Sequence, residues 1–213
     1  YPLRRQRQMC IRDSFKRAQC SRIVYSKRME TFVNKGCEVL TKGNTLLYPT
    51  DTVWGIGCDA TNSEAIKKVY GLKKREDRKA LICLVSDLKM LELLTGKLGD
   101  NIKRIALASK PTTIIYPNVN EVAANLKAKN GSVGIRIVQD EFCRKLLERF
   151  GKPIVSTSAN MSGSPSPKKF KEIDQVILEG VDHIVTLKTK ETRTRPSTIV
   201  LFDADGNLKT LRA

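Results

Sequence analysis

Two hydrophobic periods alternate along the chain, one typical of helices and the other typical of strands. Apolar residues recur at the 3.6-residue spacing of an amphipathic helix over residues 30–42, 63–70, 88–94, 101–108, 140–150 and 170–178. Short apolar runs of strand length lie between and after these segments, at residues 45–48, 80–85, 112–116, 132–138, 153–157, 183–187, 198–202 and 208–211. Strands interleaved with helices predict one α/β domain with a mixed sheet.

Capping residues support the predicted helix boundaries. Asn62 or Ser63 can cap the second helix, and Gly43 and Gly151 are expected to end the helices that precede them. The uninterrupted apolar run at 80–85 is typical of a strand that is covered on both faces. In such folds ligands bind where loops leave the carboxyl ends of strands, so we expect the chemistry there.

Positive charge is concentrated at the N-terminus. The 213 residues contain 39 Lys and Arg against 22 Asp and Glu, which gives a formal charge of +17. Residues 1–28 hold nine basic residues and one acid, so +8 of this charge lies there and +9 on the other 185 residues. We interpret 1–28 as a basic extension, disordered or non-native, followed by a domain over 29–213. The alternative is a nucleic-acid-binding arm.

Several classes of protein are disfavoured by the composition. The longest run without a charged residue has 15 residues and is rich in Ser, Pro and Gly, whereas a transmembrane helix needs about 20 apolar residues. No apolar segment follows the basic N-terminus, so a secretory signal peptide is not indicated. The six cysteines form no C-x-x-C pair, which favours reduced thiols in a cytoplasmic protein. With a single histidine, His183 in strand-like sequence, we expect neither a protein metal site nor a Ser-His-Asp triad.

Gly55, Gly57 and Ala60 form a G-x-G-x-x-A pattern between a strand and a helix. Dinucleotide-binding folds contain such a pattern, but here residues 51–54 separate the strand from the first glycine. No second strand ending in an acid follows at the required distance of about 20 residues. We therefore interpret the glycines as a tight turn. A G-x-x-x-x-G-K-[ST] phosphate loop does not occur in the sequence.

Three cations, Lys73, Lys74 and Arg75, follow the second predicted helix. Within a helix, side chains two residues apart point in different directions. If Gly71 ends the helix and the chain continues extended, Lys73 and Arg75 lie on one side and form a clamp for an anion, with Lys74 facing away. A solvated basic loop is the alternative.

Small hydroxyl and amide side chains follow the strand predicted at 153–157. In an extended chain Ser158 and Asn160 share a side, and such groups can hydrogen-bond phosphate or carboxylate without bulk. Ser158 has no G-x-S-x-G elbow and no partnered base, so we do not expect it to be a nucleophile. A Ser/Asn-rich turn is the alternative.

These segments occur in a characteristic order. Pro-Thr-Asp-Thr-Val-aromatic-Gly-aliphatic-Gly is followed by Lys-x-Arg, Gly-aliphatic-Arg, Ser-x-Asn-x-Ser-Gly and Pro-Ser-Thr, at residues 49–57, 73–75, 134–136, 158–163 and 196–198. In order and spacing, from about residue 35 to Arg212, the chain resembles the YrdC-like family in its short, single-domain form. The chain departs from the family pattern at Trp54, Lys110 and Lys168, which affects the fine shape of the pocket.

The resemblance implies an α/β fold: a single YrdC-like domain with a twisted mixed β-sheet, flanked by helices, and a concave basic cleft. Members of the family are threonylcarbamoyl-AMP synthases, which form L-threonylcarbamoyl-AMP and pyrophosphate from L-threonine, bicarbonate or CO2, and ATP. A tRNA threonylcarbamoyltransferase, the downstream partner, then modifies adenosine 37 of tRNA. The resemblance also implies a cytoplasmic nucleotidyltransferase, Mg2+ accompanying ATP, and binding of double-stranded RNA or tRNA.

The same resemblance assigns residues to two substrates. Four residues would bind ATP, the first two of them also being catalytic: Lys73, Arg75, Asn160 and Arg212. Four others would surround threonine: Thr50, Arg136, Ser158 and Ser197. The arginine among these would meet the threonine carboxylate in a bidentate pair.

Two other functions stay open. A YrdC-like RNA-binding or ribosome-associated module without synthase activity would use the same cations as an RNA-facing surface. A dinucleotide-dependent oxidoreductase would use the turn at Gly55 and Gly57. Pyrophosphate release that requires both threonine and bicarbonate distinguishes the synthase from both.

Overall fold

Strands and helices alternate through a computed structural model of the protein, which describes residues 24–74, 81–192, 195–202 and 208–212. The strands in these ranges are β1 (Leu46–Pro49), β2 (Trp54–Asp59), β3 (Ile82–Val85), β4 (Thr112–Tyr116), β5 (Val133–Ile137), β6 (Ile154–Ser158), β7 (His183–Ile184), β8 (Thr198–Phe202) and β9 (Leu208–Arg212). The helices are α1 (residues 24–41), α2 (Ser63–Leu72), α3 (Leu88–Thr95), α4 (Asp100–Ala106), α5 (Glu141–Phe150) and α6 (Gln175–Gly180). Short 3-10 helices lie at Ala124–Leu126 and Phe170–Glu172.

The strands form one mixed sheet in the order β7-β1-β2-β6-β3-β5-β4-β8-β9. β2 and β6 are antiparallel, as are β6 and β3, whereas β3 runs parallel to β5 and β4 runs parallel to β8. The prediction of a single α/β domain with a twisted mixed sheet flanked by helices is confirmed. The predicted concave basic cleft stays a prediction.

Capping residues mark the ends of the helices where the sequence indicated them. The Asn62 side chain accepts hydrogen bonds from the backbone N–H of Glu64 and Ala65, so Asn62 caps α2. Asp140 caps α5 in the same way through the N–H of Cys143. Gly151 ends α5 with φ at 72°, a left-handed conformation that glycine adopts without strain.

The two faces of the sheet are packed differently. Because side chains alternate along a strand, Trp54, Ile56 and Cys58 of β2 point to one face. This face, which we call the covered face, packs against apolar residues of α2, α3 and α6. The opposite face, which we call the cavity face, packs against α1 and α5 near Tyr48 and Ile154. Farther along the strands the cavity face carries small and polar residues.

The expected tight turn at Gly55 and Gly57 is wrong, because both glycines lie inside strand β2. Their positions on the cavity face explain them. A Cβ at Gly57 would lie 2.8 Å from Cε1 of Tyr48, and a Cβ at Gly55 would lie 3.0 Å from Oγ of Ser156. The glycines therefore allow close packing of neighbouring strands, and they form neither a turn nor a dinucleotide loop.

The single helix expected over 170–178 is divided into two elements. Phe170–Glu172 forms a 3-10 helix, and α6 begins only at Gln175, after Ile173 and Asp174 adopt extended backbone. The extended Ile173 buries its side chain in the apolar core of the covered face, and Asp174 accepts a hydrogen bond from the N–H of Val176. Burial and capping together outweigh helix propensity here.

Two predicted boundaries also change. The strand expected over 183–187 is limited to β7, His183–Ile184, although Val185 and Leu187 beyond it are buried. Residues 24–28, which we interpreted as part of the basic extension, are helical and continue into Met29, which is buried. The rest of the predicted extension lies outside the described residues.

Candidate active site

Five of the eight predicted site residues line one cavity of about 260 Å3 on the cavity face: Thr50, Arg136, Ser158, Ser197 and Arg212. The first three lie in the turn after β1, in β5 and in β6. Ser197 directly precedes β8, and Arg212 is the last residue of β9. Gly55, Ile82 and Ser156 complete the strand side of the cavity. Residues separated by more than 160 positions in the sequence therefore meet at one place.

Arg136 is the most deeply buried cation of this cavity, with a side chain that is 2% exposed. Its Nη2 donates to Oδ1 of Asp51 at 2.9 Å, and its Nη1 donates to Oγ1 of Thr52 at 3.2 Å. Two polar atoms of this group are buried without a hydrogen-bond partner among the described residues: Nε of Arg136 and Oδ2 of Asp51. A buried N–H without an acceptor is unfavourable, so an acceptor that reached Nε would be stabilised there.

The Thr50 hydroxyl holds the turn between β1 and β2. It donates to the carbonyl oxygen of Val53 at 2.6 Å and accepts from the backbone N–H of Thr52 at 3.1 Å. Its oxygen also lies 3.0 Å from Oγ1 of Thr52. Since a hydroxyl carries one hydrogen, Thr52 must be the donor in this last contact, and the hydrogen-bonding capacity of Thr50 is then filled.

A second cation reaches the cavity from the opposite side. Arg212 donates from Nε and Nη2 to the carbonyl oxygen of Ser197 at 3.1 and 2.9 Å. The Ser197 hydroxyl lies 2.8 Å from Oγ1 of Thr113. Burial, and then the positive charge of Arg136, lowers the pKa of Arg212 from its ordinary value. The two guanidinium groups therefore repel each other, and an anion bound between them would be attracted by both.

Lys73 and Asn160 do not line this cavity but lie next to residues that do. The Lys73 ammonium donates to the carbonyl oxygen of Ser158, and its own carbonyl accepts from the N–H of Ser162 at 3.3 Å. The Asn160 amide donates to the carbonyl oxygens of Met161 and Ser164, while its buried Oδ1 has no partner among the described residues. The structure thus brings Lys73 together with the Ser-x-Asn segment.

The chain after Gly71 is not extended, contrary to the expectation. Helix α2 continues through Gly71 to Leu72, Lys73 keeps helical backbone, and Lys74 has φ at 48°. The helix ends through this left-handed residue, so no alternation of sides can be argued for positions 73 and 74. Arg75 lies outside the described residues, and the proposed clamp stays a prediction.

A second cavity, of about 540 Å3, shares Pro196 with the first. It is also lined by Asp51, Lys110 and Arg195. Lys110 is one of the positions at which the sequence departs from the family pattern, so that departure changes the charge of this second cavity.

No group of three or more His, Cys, Asp or Glu in the described ranges could hold a metal ion. Asp51, the carboxylate nearest to the cavity residues, is already engaged by Arg136. Since Mg2+ is usually bound by carboxylates, waters and substrate phosphates, these residues do not fit a resident Mg2+ site, and the ion would accompany the phosphates. The expectation of Mg2+ with ATP stays a prediction.

The cysteines of the described chain take no part in the cavity. Cys37, Cys58, Cys83 and Cys143 are all free. Burial raises the pKa of Cys58 to about 12 and raises the pKa of Cys83 and Cys143.

No helix among the described residues has both the length and the apolar character needed to cross a membrane.

Sequence reasoning missed Asp51 and Thr52 as site residues. Both lie in the segment that carried the resemblance, but nothing in a linear pattern pairs Asp51 with Arg136, 85 residues away. One signal was available: an arginine inside a strand of apolar residues needs a buried counter-ion.

Comparison with known proteins identifies the family. A model of the Sua5/YciO/YrdC domain, described as telomere recombination, matches residues 38–213. The chain belongs to the Sua5/YciO/YrdC family. The resemblance to YrdC-like proteins is thereby confirmed. A relative from Hahella chejuensis named threonylcarbamoyl-AMP synthase is 32% identical over 154 residues, which are 71% of this chain and 84% of the relative. That name agrees with the prediction of an enzyme.

Solved structures of the Sua5/YciO/YrdC family share the fold. E. coli YciO superimposes with a TM-score of 0.73 at 23% identity, covering 85% of this chain and 88% of YciO. P. abyssi Sua5 complexed with L-threonine gives the same TM-score and identity, covering 84% of this chain and 53% of Sua5. The chain thus spans about half the length of that Sua5 protein.

Proposed function

We propose that this Sua5/YciO/YrdC protein is an L-threonylcarbamoyladenylate synthase. It would form threonylcarbamoyl-AMP and pyrophosphate from L-threonine, bicarbonate or CO2, and ATP, for modification of position 37 of tRNA. The observation that carries the proposal is the buried Arg136, which lines a cavity together with Ser158 and Ser197 and is held there by Asp51 and Thr52. The names of the relatives and the L-threonine complex of P. abyssi Sua5 support the same assignment.

Threonine would occupy the smaller cavity. Arg136 would bind the carboxylate, since a guanidinium matches the geometry of a carboxylate with its parallel N–H groups. The hydroxyls of Ser158 and Ser197 would bind the polar groups at the other end of the molecule. The Thr50 hydroxyl is filled by its contacts within the turn, so Thr50 would contribute the wall of the cavity rather than a hydrogen bond.

ATP would lie beside threonine. Arg212 lines the cavity from β9. The Lys73 ammonium donates to the carbonyl oxygen of Ser158, and the Asn160 amide donates to that of Met161. With Arg75, these residues would bind the nucleotide, Lys73 and Arg75 being the catalytic pair on the triphosphate. The adjoining cavity at Lys110 and Arg195 offers further room and positive charge for phosphate groups.

The chemistry fits a site without a tuned histidine. The threonine amine adds to CO2, losing a proton, and a carbamate oxygen then attacks the α-phosphorus of ATP. The bond from the α-phosphorus to the bridging oxygen of the β-phosphate breaks, and pyrophosphate leaves. Fixed cations would hold the reactants together and neutralise the charge of the departing group, which are the two contributions that this step needs.

The direct test measures pyrophosphate release from ATP by the full chain. We expect release only when threonine and bicarbonate are both present. Salt-sensitive RNA binding without release would support the non-catalytic module instead, and a nicotinamide fluorescence change would support the oxidoreductase.

A matched pair of lysine variants tests the ATP assignment. We expect Lys73→Ala to lower pyrophosphate release by about 10²-fold or more, as loss of a charge-stabilising group can. Lys74→Ala removes the neighbouring exposed cation and should leave release close to wild type. Near-normal turnover of Lys73→Ala would contradict the assignment.

The proposal extends to the surroundings of the enzyme. A tRNA threonylcarbamoyltransferase would receive the adenylate, since the mixed anhydride is a reactive acyl donor. Binding of double-stranded RNA or tRNA and a cytoplasmic location belong to the same proposal. The overall charge of +17 is in keeping with RNA contacts, although +8 of it lies in residues 1–28.

A further inference from the structure

The turn from Thr50 to Thr52 is connected to Arg136 by a continuous set of hydrogen bonds. Thr50 is fixed by the carbonyl oxygen of Val53, and it fixes the Thr52 hydroxyl by accepting its hydrogen. The Thr52 oxygen then accepts from Nη1 of Arg136, and Asp51 takes Nη2. Every donor in this series is assigned by the single hydrogen on each hydroxyl and by the inability of a guanidinium to accept.

These hydrogen bonds engage Nη1 and Nη2 of the guanidinium but not Nε. Each terminal nitrogen has a protein partner, so rotation of the planar group about its long axis is blocked. Nε, which is buried and carries one N–H, has no partner among the described residues. The orientation of the whole guanidinium is therefore set by Asp51 and Thr52.

We propose that Asp51 and Thr52 are positioning residues, which hold the Arg136 guanidinium in the orientation that binds the carboxylate of the amino-acid substrate. This inference rests on the proposed function, because it takes the substrate to be threonine. Asp51 has a second role in it. A buried arginine without a counter-ion is strongly disfavoured, and the Asp51 side chain, itself only 8% exposed, supplies the opposite charge.

Asp51 also lies between the two cavities. Its partner Arg136 lines the smaller one, while Asp51 itself lines the larger one with Lys110 and Arg195. A negative charge at this point keeps the carboxylate of the amino acid on the Arg136 side, since a carboxylate placed beside Asp51 would be repelled. The ion pair thus gives the substrate a direction as well as a binding partner.

The test compares the binding of L-threonine and L-threoninamide to the full chain by isothermal titration calorimetry. The amide has the same shape but lacks the carboxylate charge. A charged hydrogen bond in a buried site is worth roughly 10- to 100-fold in affinity, so we expect wild type to prefer threonine by about that factor. Asp51→Asn should reduce this preference about tenfold or more, because Arg136 loses its orientation.

Control variants separate positioning from general damage. Asp59→Asn removes another buried carboxylate, at the far end of β2 and paired with Lys152, and should leave the preference for threonine unchanged. Thr52→Val removes the hydroxyl that fixes Nη1 and should reduce the preference, whereas Thr52→Ser should retain it. If Asp51→Asn does not fold, as judged by circular dichroism, the two Thr52 variants decide.

Each outcome has a distinct meaning. Wild type that binds neither ligand and releases no pyrophosphate would overturn the proposed function and this inference with it. Wild type that prefers threonine, with an unchanged preference in Asp51→Asn and Thr52→Val, would overturn the positioning role alone. An equal loss of affinity for both ligands in these variants would also overturn it, because a merely structural role predicts that result.

Discussion

Ile135 and Arg136 are neighbours on β5, yet they lie in opposite environments. Ile135 points to the covered face, where it packs among apolar side chains and is 1% exposed. Arg136 points to the cavity face, where its partners are Asp51 and Thr52. One strand therefore contributes to stability on one face and to binding on the other.

The difference between the faces arises from how far the helices extend across the sheet. On the covered face, residues of β1 to β6 and of β8 pack into one apolar cluster with the helices, whereas α1 and α5 cover the cavity face only around Tyr48, Leu84 and Ile154. Beyond that cover, Gly55 and Ser156 are too small to fill the space themselves. The cavity lies on a part of the sheet that α1 and α5 do not cover.

The largest effect is expected on the covered face. Ile135→Ala should lower the free energy of unfolding by about 2–5 kcal/mol, because it leaves a void among buried side chains. Urea denaturation measures this loss. The KM for threonine should stay within about twofold of wild type at a temperature where the variant is folded. A large rise in that KM would show that the two faces are coupled and not separate.

The complementary change is Arg136→Ala on the cavity face. We expect the affinity for threonine to fall about 10²-fold, equivalent to about 2.7 kcal/mol, with the KM for ATP nearly unchanged. Stability also falls because Asp51 loses its partner, so binding is measured well below the unfolding midpoint. A variant in which only the ATP dependence changed would show that the pocket is divided differently.

The covered face was the more predictable from sequence. Apolar periodicity located β3, β4, β5 and β6 because burial on this face demands apolar side chains at alternate positions. Strand β2 was missed for a reason specific to the cavity face. Its residues on that face are Gly55, Gly57 and Asp59, and glycine suggests a turn unless the partner side chain that requires it is known.

The site residues were named through the family resemblance, whereas a role that depends on a distant partner was not recognised. Thr50, Arg136, Ser158, Ser197 and Arg212 were named in this way and do meet in one cavity. The pairing of Asp51 with Arg136 depends on the order of strands in the sheet, which local patterns do not specify. The expected backbone after Gly71 failed because glycine was taken to end a helix that continues through it.

A smaller effect is expected from filling the space at Gly57. Gly57→Ala places a Cβ in steric clash with the backbone oxygen of Val155 and 2.8 Å from the Tyr48 ring, so the strands must shift, which costs about 1–3 kcal/mol of stability. Gly71→Ala is the matched control, since a Cβ there meets nothing within 4 Å and lies in helix α2. That variant should gain about 0.5–1 kcal/mol. Equal melting temperatures for the two variants would refute this account of the glycines in β2.

The smallest effect is a pH dependence of the free energy of unfolding, which reports how well the covered face excludes water. Burial on the covered face raises the pKa of Cys58 from 9.0 to about 12. A thiol with a raised pKa in the folded state adds stability that is fully present below pH 9 and is lost as the pH rises towards 12. Well inside this window the loss per thiol approaches about 1.4 kcal/mol for each pH unit. Urea denaturation at pH 8 and pH 10 measures the loss.

Other buried groups add to the loss of stability in the same pH range, so a variant isolates Cys58. Burial also raises the pKa of Cys83, Cys143 and Tyr48. Cys58→Ala should therefore lose about 1.4 kcal/mol less than wild type between pH 8 and pH 10, while the contributions of the other groups cancel in the difference. An identical loss in the two proteins would mean that water reaches Cys58, and that the covered face is as open to solvent as the cavity face.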